Sequence, residues 1–467
     1  MSETYDLAVI GAGPGGYIAA LKAAEFDVRV ALIEKSMFGG TCLNLGCIPT
    51  KTLYQSSQNF INYLQYARTL KDPFARDKHL AQRAFKHAMD SKDNVIEALR
   101  KQINGFVKHS AIDVYRGSAY LDSQNEVTID GYQTIRASKI ILATGSTPMM
   151  PPKFDLDRTK IMTSNEILNL RELPESILIV GGGYIGCEYA TIFANYGVDV
   201  TLIELLPGIL NTEDGDIVTE VLKSFKKRGV SVHTKTGLDS IEIDGGKVKS
   251  ALSNGHPLQT DLVLVAVGRS PNSHGLGLEK LGIELNEKGA VGVNERFRTN
   301  RNDVYAIGDV IDRKLRLAHV SEKEGIIGIA GIIRDKCFGP MSYEVIPTAI
   351  FVEPEVASVG KREFQLNDKG TAYVVGKSWY EKNAMAMCSG NTTGFVKLIV
   401  DKTTLRILGS TVVGNHASDL IGIIATAMNA EATVETLSNS VWFHPSRPEV
   451  IKGAAEVALR KLKMNVF

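Results

Sequence analysis

Cysteine is scarce in this chain, with five among 467 residues, scattered and not spaced as a framework. A small extracellular fold stapled by disulfides is therefore excluded. Charge of one sign is also lacking: Lys+Arg 53 against Asp+Glu 52 leaves a formal charge of +1. That balance gives no footing to nucleic acid or to an anionic membrane as partner. No apolar stretch reaches the ~20 residues of a membrane-spanning helix, and the nearest, Gly325–Ile333, suits only a buried element. The first residues run into apolar Leu7–Ile10 without the segments of a signal peptide. The expectation is a reducing, cytoplasmic setting, in which two cysteines that pair do so for redox chemistry. Low-complexity tracts are absent. At 44% hydrophobic and 22% charged residues, the length allows two or three domains, each with its own core.

What the sequence does contain is one unit written twice. The apolar run Leu7–Ile10 delivers Gly11-Ala12-Gly13-Pro14-Gly15-Gly16, an alanine-rich helical stretch follows through Ala24, and a second apolar run, Val28–Ile33, ends on Glu34. Dinucleotide binding explains the order: Gly11 turns tightly, Gly13 admits a pyrophosphate to the backbone, and Gly16 lets helix pack on strand. The helix N-terminus offers amides and positive dipole to the phosphate, and Glu34 stands where a ribose hydroxyl needs an acceptor. A lone glycine motif of this kind could be an ordinary turn. Here it recurs as Ile177–Val180, Gly181-Gly182-Gly183-Tyr184-Ile185-Gly186, a helix through Tyr196, and Val198–Ile203 ending on Glu204. The spacing from Gly11 to Glu34 equals that from Gly181 to Glu204. Two dinucleotide sites suggest one resident and one exchanging cofactor, with FAD and a nicotinamide nucleotide the natural pair. Leu205-Leu206-Pro207-Gly208 follows Glu204 without an arginine for a 2′-phosphate, which points to NAD+/NADH.

Directly after the first unit comes Gly39-Gly40-Thr41-Cys42-Leu43-Asn44-Leu45-Gly46-Cys47-Ile48-Pro49-Thr50-Lys51. Two cysteines with four residues between them, at a helix start, can close a small disulfide ring beside a cofactor. Two reduced buried thiols, or half of a zinc site, are the alternatives. Zinc needs a second ligand pair, and Cys187, Cys337 and Cys388 are isolated. The helix N-terminus and Lys51 are expected to lower a thiol pKa, as exchange chemistry requires. Ser56 to His109 reads as a scaffold helix pair.

The GGTCLNLGCIPTK run resembles the redox-active segment of the flavin-dependent pyridine nucleotide-disulfide oxidoreductases, and the similarity extends over essentially the whole chain. It includes Ala143-Thr144-Gly145, Gly268-Arg269-Ser270-Pro271-Asn272, Tyr305-Ala306-Ile307-Gly308-Asp309 and Leu317-Ala318-His319. The resemblance implies an α/β chain with two Rossmann-like dinucleotide-binding domains and a C-terminal α+β dimerisation, or interface, domain. It implies Cys42 as the thiol facing substrate, Cys47 as the thiol against the flavin, and Lys51 near the flavin, paired with Glu188. It implicates Asp309 in binding the FAD ribityl chain and the backbone of Leu317 and Ala318 at the flavin end, with His319 structural. Gly15, Lys35, Gly40, Thr41, Ala119, Thr144, Gly145 and Gly268 join the glycine units as cofactor contacts.

The C-terminal segment holds Phe443-His444-Pro445-Ser446-Arg447-Pro448-Glu449. A carboxylate on one ring nitrogen fixes the tautomer and raises the basicity of the other, so Glu449 makes His444 a candidate base. The pair resembles the family's HPxxxE dyad, whose base serves the partner subunit of a homodimer. The family's thioredoxin and mercuric reductases carry an extra C-terminal redox pair, whereas this chain ends Lys463-Met464-Asn465-Val466-Phe467. Glutathione and trypanothione reductases use NADPH. GGTCLNLGCIPTK, IPTAIFVEPEVASVG and GFVKLIVD read closely like segments of the dihydrolipoamide dehydrogenases. That branch implies oxidation of dihydrolipoamide on lipoylated protein domains, of 2-oxoacid dehydrogenase complexes, of the glycine cleavage H protein or of another lipoyl protein. Departures lie at Trp442, where that branch usually has a histidine, at Arg447 and Pro448, where small or apolar residues are usual, and at Glu353. A reductase of another small disulfide and a non-catalytic FAD/NAD scaffold are the rivals. From the motifs, the FAD domain is expected over 1–150, the NAD domain over 151–269, a central segment returning to the flavin over 270–340, and the interface domain over 341–467.

Overall fold

The computed structural model describes residues 3–72, 77, 79–151, 154, 156–313, 315–334 and 340–464. Cys337 lies outside them. The chain forms two compact units, 1–173 with 264–341, and 174–263 with 342–467.

In the first unit, strand β1 (Thr4–Ile10), helix α1 (Pro14–Ala24) and strand β2 (Val30–Glu34) make the first dinucleotide unit. Pro14 opens α1, where a missing amide hydrogen costs nothing. Helices α2 (Gly40–Leu45), α3 (Cys47–Thr69) and α4 (Leu80–Lys108) follow. The expected scaffold pair is thus α3 against α4. Strand β3 (Ile112–Arg116) leads to the meander β4 (Ala119–Ser123), β5 (Glu126–Ile129) and β6 (Gln133–Leu142). The sheet runs β3-β2-β1-β6-β5-β4, parallel from β3 through β6 and antiparallel beyond, with Val304–Ala306 added in parallel on β6. Strands β1 and β2 are apolar on both faces because both faces are covered, as parallel sheets require. Residues up to 173 stay with this unit: Lys92 donates to the Leu168 carbonyl at 2.8 Å, and the Leu173 amide donates to Gln82 at 2.8 Å.

The second unit carries the repeat. Ser176–Val180, helix Tyr184–Asn195 and Asp199–Glu204 reproduce strand, helix and strand, with Asp199–Glu204 parallel to both Ser176–Val180 and Ser231–Thr234. Its C-terminal part is a five-stranded antiparallel sheet in the order 348–350, 356–360, 407–413, 395–401, 373–379. Helices Ala417–Asn429 and Glu449–Lys461 bury Leu420, Ile424, Ile451 and Ala455 in the same core as Val396, Leu398 and Val412 of that sheet. Among the described residues no helix is long and apolar enough to cross a membrane.

One buried charge cluster ties this unit together. Lys397 is 1% exposed, and its Nζ sits 2.8 Å from Asp214, 2.8 Å from Asp216 and 3.0 Å from Glu363. The three carboxylates have the closeness of a metal site, but the lysine ammonium already occupies their midst. Burial works against ionisation of Asp216, yet Lys397 and Lys377 outweigh it and hold its pKa below the usual value. A depressed carboxylate stabilises the fold above its unfolded pKa, and that contribution is lost as pH falls through the folded value. Lys397→Met should therefore cost about 3–5 kcal/mol by leaving clustered carboxylates uncompensated. Denaturant titration at neutral pH checks the loss, and the gap to wild type should narrow below about pH 4, where free carboxyls protonate.

Candidate active site

Both dinucleotide loops are held by the same carboxylate staple. Glu34 accepts from the Ala12 amide at 2.7 Å and from the Ser36 amide at 2.7 Å. Glu204 accepts from Gly182 at 2.7 Å and from Leu206 at 2.8 Å. Each carboxylate thus joins the end of its strand to the glycine turn, where it remains able to accept from a sugar. Lys35, next to Glu34, is exposed, as are Leu205 and Leu206 beside Glu204.

The glycines divide into those the protein needs for itself and those it leaves bare. A Cβ on Gly16 would lie 1.9 Å from the Gly11 carbonyl oxygen, and one on Gly186 would lie 1.9 Å from that of Gly181. Gly11 and Gly181 have φ of 102° and 115°, in the left-handed region. At Gly183, by contrast, a Cβ meets nothing within 4 Å, and at Gly13 the nearest atom is Gly40 Cα at 4.0 Å. This bare backbone lies at a helix N-terminus, where a pyrophosphate is expected to sit. These residues fit FAD at the first unit and a nicotinamide dinucleotide at the second. Tyr184 is exposed and Ile185 half-buried at that helix start.

The redox segment is pressed onto the first loop. Gly40, at φ 54°, would carry a Cβ only 2.6 Å from Gly13 Cα, and the Gly39 amide donates to the Ala12 carbonyl at 2.9 Å. Thr41 and Cys42 follow within α2, and Cys47 is the first residue of α3. Cys42 is partly buried and Cys47 exposed. Both are thiols here, and their side chains are hydrogen-bonded: that bond, followed by burial, raises the Cys42 pKa, while Lys51 one turn on acts in the opposite sense. Lys51 thus acts in the expected direction, but at Cys42 the bond to Cys47 and burial outweigh it. Cys42 therefore holds its proton more tightly than a free thiol.

Sequence reasoning missed the brace behind this segment. Asn44 donates to the Phe38 and Gly40 carbonyls at 2.9 Å each, and Arg100 of α4 grips the Asn44 oxygen through Nε at 3.2 Å and Nη2 at 2.8 Å. An arginine in a helix of mixed charge gives no signal of such a role.

The remaining first-unit motifs converge. Ser146 donates to Asp309 at 2.6 Å, and Arg269 Nε donates to Ser146 Oγ at 2.8 Å and Arg269 Nη2 to its carbonyl at 2.6 Å. Thr144 Oγ1 donates to the Asn272 carbonyl at 2.6 Å, Asn272 Nδ2 returns a bond at 2.9 Å, and the Asn272 amide donates to Gly145. Gly268 immediately precedes this clasp and is exposed, Ala119 is buried in β4, and Leu317 and Ala318 are half-buried at the start of helix Ala318–Arg334, whose His319 is exposed. Glu324, also missed, accepts from the Gly308 amide at 2.7 Å beside Asp309, with Arg313 at 3.1 Å. Burial pushes its carboxyl up to about 7 against the pull of Arg313.

In the second unit, His444 Nδ1 lies 2.9 Å from Glu449 Oε1, and the other carboxylate oxygen accepts from the Ser446 amide at 2.7 Å. The His444 side chain is 71% exposed, so its second nitrogen is open to another molecule. The His444 bond and the Ser446 amide hold the Glu449 pKa below its ordinary value. Trp442 donates to the Leu437 carbonyl at 2.9 Å, which gives that departure a structural use. Glu188 is buried and accepts from the Phe351 amide at 3.0 Å. Cys187 is buried with its thiol on the Gly182 carbonyl, Cys388 is exposed, and no described cysteine takes part in a cluster fit for a metal.

A redox dithiol pressed on one dinucleotide loop, a second such loop and an exposed histidine–carboxylate pair define a nucleotide-linked dithiol oxidoreductase. Comparison agrees: residues 5–325 match the pyridine nucleotide-disulphide oxidoreductase family, and 346–455 match its dimerisation domain. The chain belongs to that family, is an oxidoreductase using FAD and NAD(H), and carries the part through which its members form homodimers. It is 36% identical to a dihydrolipoyl dehydrogenase of Chlamydia muridarum, over 98% of each chain, and 36% identical to a leghemoglobin reductase of Glycine max, over 97% of this chain and 87% of that one. Among solved structures it resembles the HOCl-induced flavoprotein disulfide reductase RclA of Escherichia coli, with a TM-score of 0.87 at 30% identity over 98% and 99% of the chains. LpdA of Mycobacterium tuberculosis shares the fold, with a TM-score of 0.88 at 26% identity over 97% and 99%.

The glycine geometry separates folding from binding. Gly186→Ala should overpack the helix–strand contact and cost about 1–3 kcal/mol, seen as a lowered Tm. Gly183→Ala should leave Tm within about 2 °C, a shift worth less than ~1 kcal/mol in a domain of this size, yet raise KM for NADH, because its methyl group enters only the cradle. Thermal melts and steady-state kinetics on the two variants check this.

Proposed function

We propose that the chain is a dihydrolipoyl dehydrogenase, oxidising dihydrolipoamide on a lipoylated protein domain and reducing NAD+. The observation that carries the reading is the redox segment: two hydrogen-bonded thiols, one partly buried and holding its proton, the other exposed at a helix start beside the dinucleotide loop. The resting oxidised enzyme has Cys42 and Cys47 joined. His444, its tautomer set by Glu449, takes a proton from one substrate thiol, and the thiolate attacks Cys42 Sγ. The Cys42–Cys47 bond breaks, and Cys47 leaves as thiolate. The second substrate thiol then attacks the substrate sulfur of the mixed disulfide, forming the lipoamide S–S bond and releasing Cys42, which takes up a proton. Its raised pKa suits that role. FAD and NAD+, when bound, supply the two-electron acceptors that return the dithiol to the disulfide. Gly11–Gly16, Glu34 and Asp309 would hold the former, and Gly181–Gly186 and Glu204 the latter.

In the homodimer, His444 serves Cys42 of the other subunit. Its exposure supports this, since a base meant for its own subunit's interior has no reason to stand at the surface. The likeness to RclA favours one second reading, an NADH-driven reductase of another small disulfide.

Purified holoenzyme given dihydrolipoamide and NAD+ should form NADH, and should fail to do so after Cys42→Ser or Cys47→Ser. Rapid reduction of other small disulfides by NADH, with no turnover of dihydrolipoamide, would favour the second reading. His444→Gln should lower dithiol turnover by ~10²–10⁴-fold while flavin reduction by NADH persists. Co-expressed Cys47→Ser and His444→Gln subunits should regain activity, because each heterodimer has one intact site. Heterodimers as inactive as both parents would mean that the dyad acts within its own subunit or not at all.

A further inference from the structure

We propose that Arg447 is a substrate-selecting residue beside the His444–Glu449 dyad, giving preference to dithiols that carry a carboxylate. The proposal rests on the dithiol-oxidising reading above and goes beyond it, to free dithiols that carry a carboxylate as well as the amide-linked lipoyl group.

The observation is a guanidinium without a counter-charge among the described residues of its own chain. Arg447 stands three positions after His444, in the loop between helices Val434–Asn439 and Glu449–Lys461. Its Nη2 donates to the neutral Ser389 hydroxyl at 2.7 Å. Its Nε is buried without a hydrogen-bond partner, as is the hydroxyl of neighbouring Ser446. Among the described residues no carboxylate lies within ion-pair distance of Arg447. The acids nearby are otherwise engaged: Glu449 holds His444 and the Ser446 amide, and Glu355 accepts from the Ser418 amide. Tyr380, which feels the Arg447 charge, is buried and donates to the Asn415 carbonyl at 3.1 Å.

A guanidinium held only by a neutral hydroxyl keeps other donors for an anion, and it is the side chain best shaped to take one in two parallel bonds. The loop is also fixed. Asn383 donates to the Ser446 carbonyl at 2.9 Å on one side of Arg447, and Ser389 holds the guanidinium on the other. A charge held three residues from the base is where a substrate's carboxylate is felt as its thiol is deprotonated.

The test compares two probes of one dithiol skeleton, dihydrolipoate with its carboxylate and dihydrolipoamide without it, on FAD-loaded dimer. For wild type, kcat/KM for dihydrolipoate over that for dihydrolipoamide should fall as ionic strength rises, since an exposed ion pair is screened. Arg447→Gln should lower that ratio by roughly tenfold, about the strength of one charge-assisted contact, and Arg447→Lys should restore part of it. A ratio unchanged in Arg447→Gln, or one insensitive to salt, overturns the proposal while the dehydrogenase reading stands. So does loss of the dimer in Arg447→Gln, which would make the guanidinium an interface contact. Wild type that oxidises neither dithiol overturns both.

Discussion

Everything at this site depends on how closely bare backbone can approach other backbone. A pyrophosphate is bound through amides, so the chain must present them with no side chain in the way and must hold them still before the ligand arrives. Gly16 lying on the Gly11 carbonyl, Gly186 on that of Gly181, and Gly40 against Gly13 are three instances of that constraint. The last matters most for chemistry. It brings the start of α2, and with it Cys42, against the loop that would hold the flavin's dinucleotide. A β-carbon at Gly40 would force the redox segment away from that loop.

The thiols then differ for reasons of place. Cys47 begins a long helix and is open, whereas Cys42 is partly covered, bonded to its neighbour and braced through Asn44 and Arg100. The bond to Cys47 and burial, not the brace, raise the Cys42 pKa and hold its proton. The difference between them follows from burial and helix position, not from the residues themselves, which are alike.

The fold class was legible because each dinucleotide unit combines an apolar strand, a glycine turn, a helix and a terminal carboxylate at matching spacing. The contacts of Cys42 with Cys47 and of His444 with Glu449 were legible because the partners lie close in sequence. What could not be read were partners far apart along the chain. Arg100 reaches Asn44 from another helix, and Glu324 reaches Gly308 from the helix after it. The raised pKa of Cys42 could not be read for a related reason: helix dipole and Lys51 are visible in sequence, whereas burial and a thiol–thiol bond are properties of the folded chain. The motifs placed boundaries at 150, 269 and 340, and the compact units meet at 173, 263 and 341. Motifs mark function, and units are set by packing such as that of Lys92 on Leu168.

The duplicated staple has a consequence for how long each nucleotide stays. Glu34 and Glu204 bond their loops in the same way, at nearly the same distances, so both cradles are preorganised to a like degree before any ligand arrives. Preorganisation of that kind lowers the entropic cost of binding equally at both. Residence time is therefore not decided in the loops. A cofactor that stays for the life of the protein and one that leaves at every turnover must differ in what surrounds the rest of the molecule. The clasp of Ser146, Arg269 and Asp309 would form part of that surround in the first unit, whereas the strand after the second cradle is followed by exposed Leu205 and Leu206.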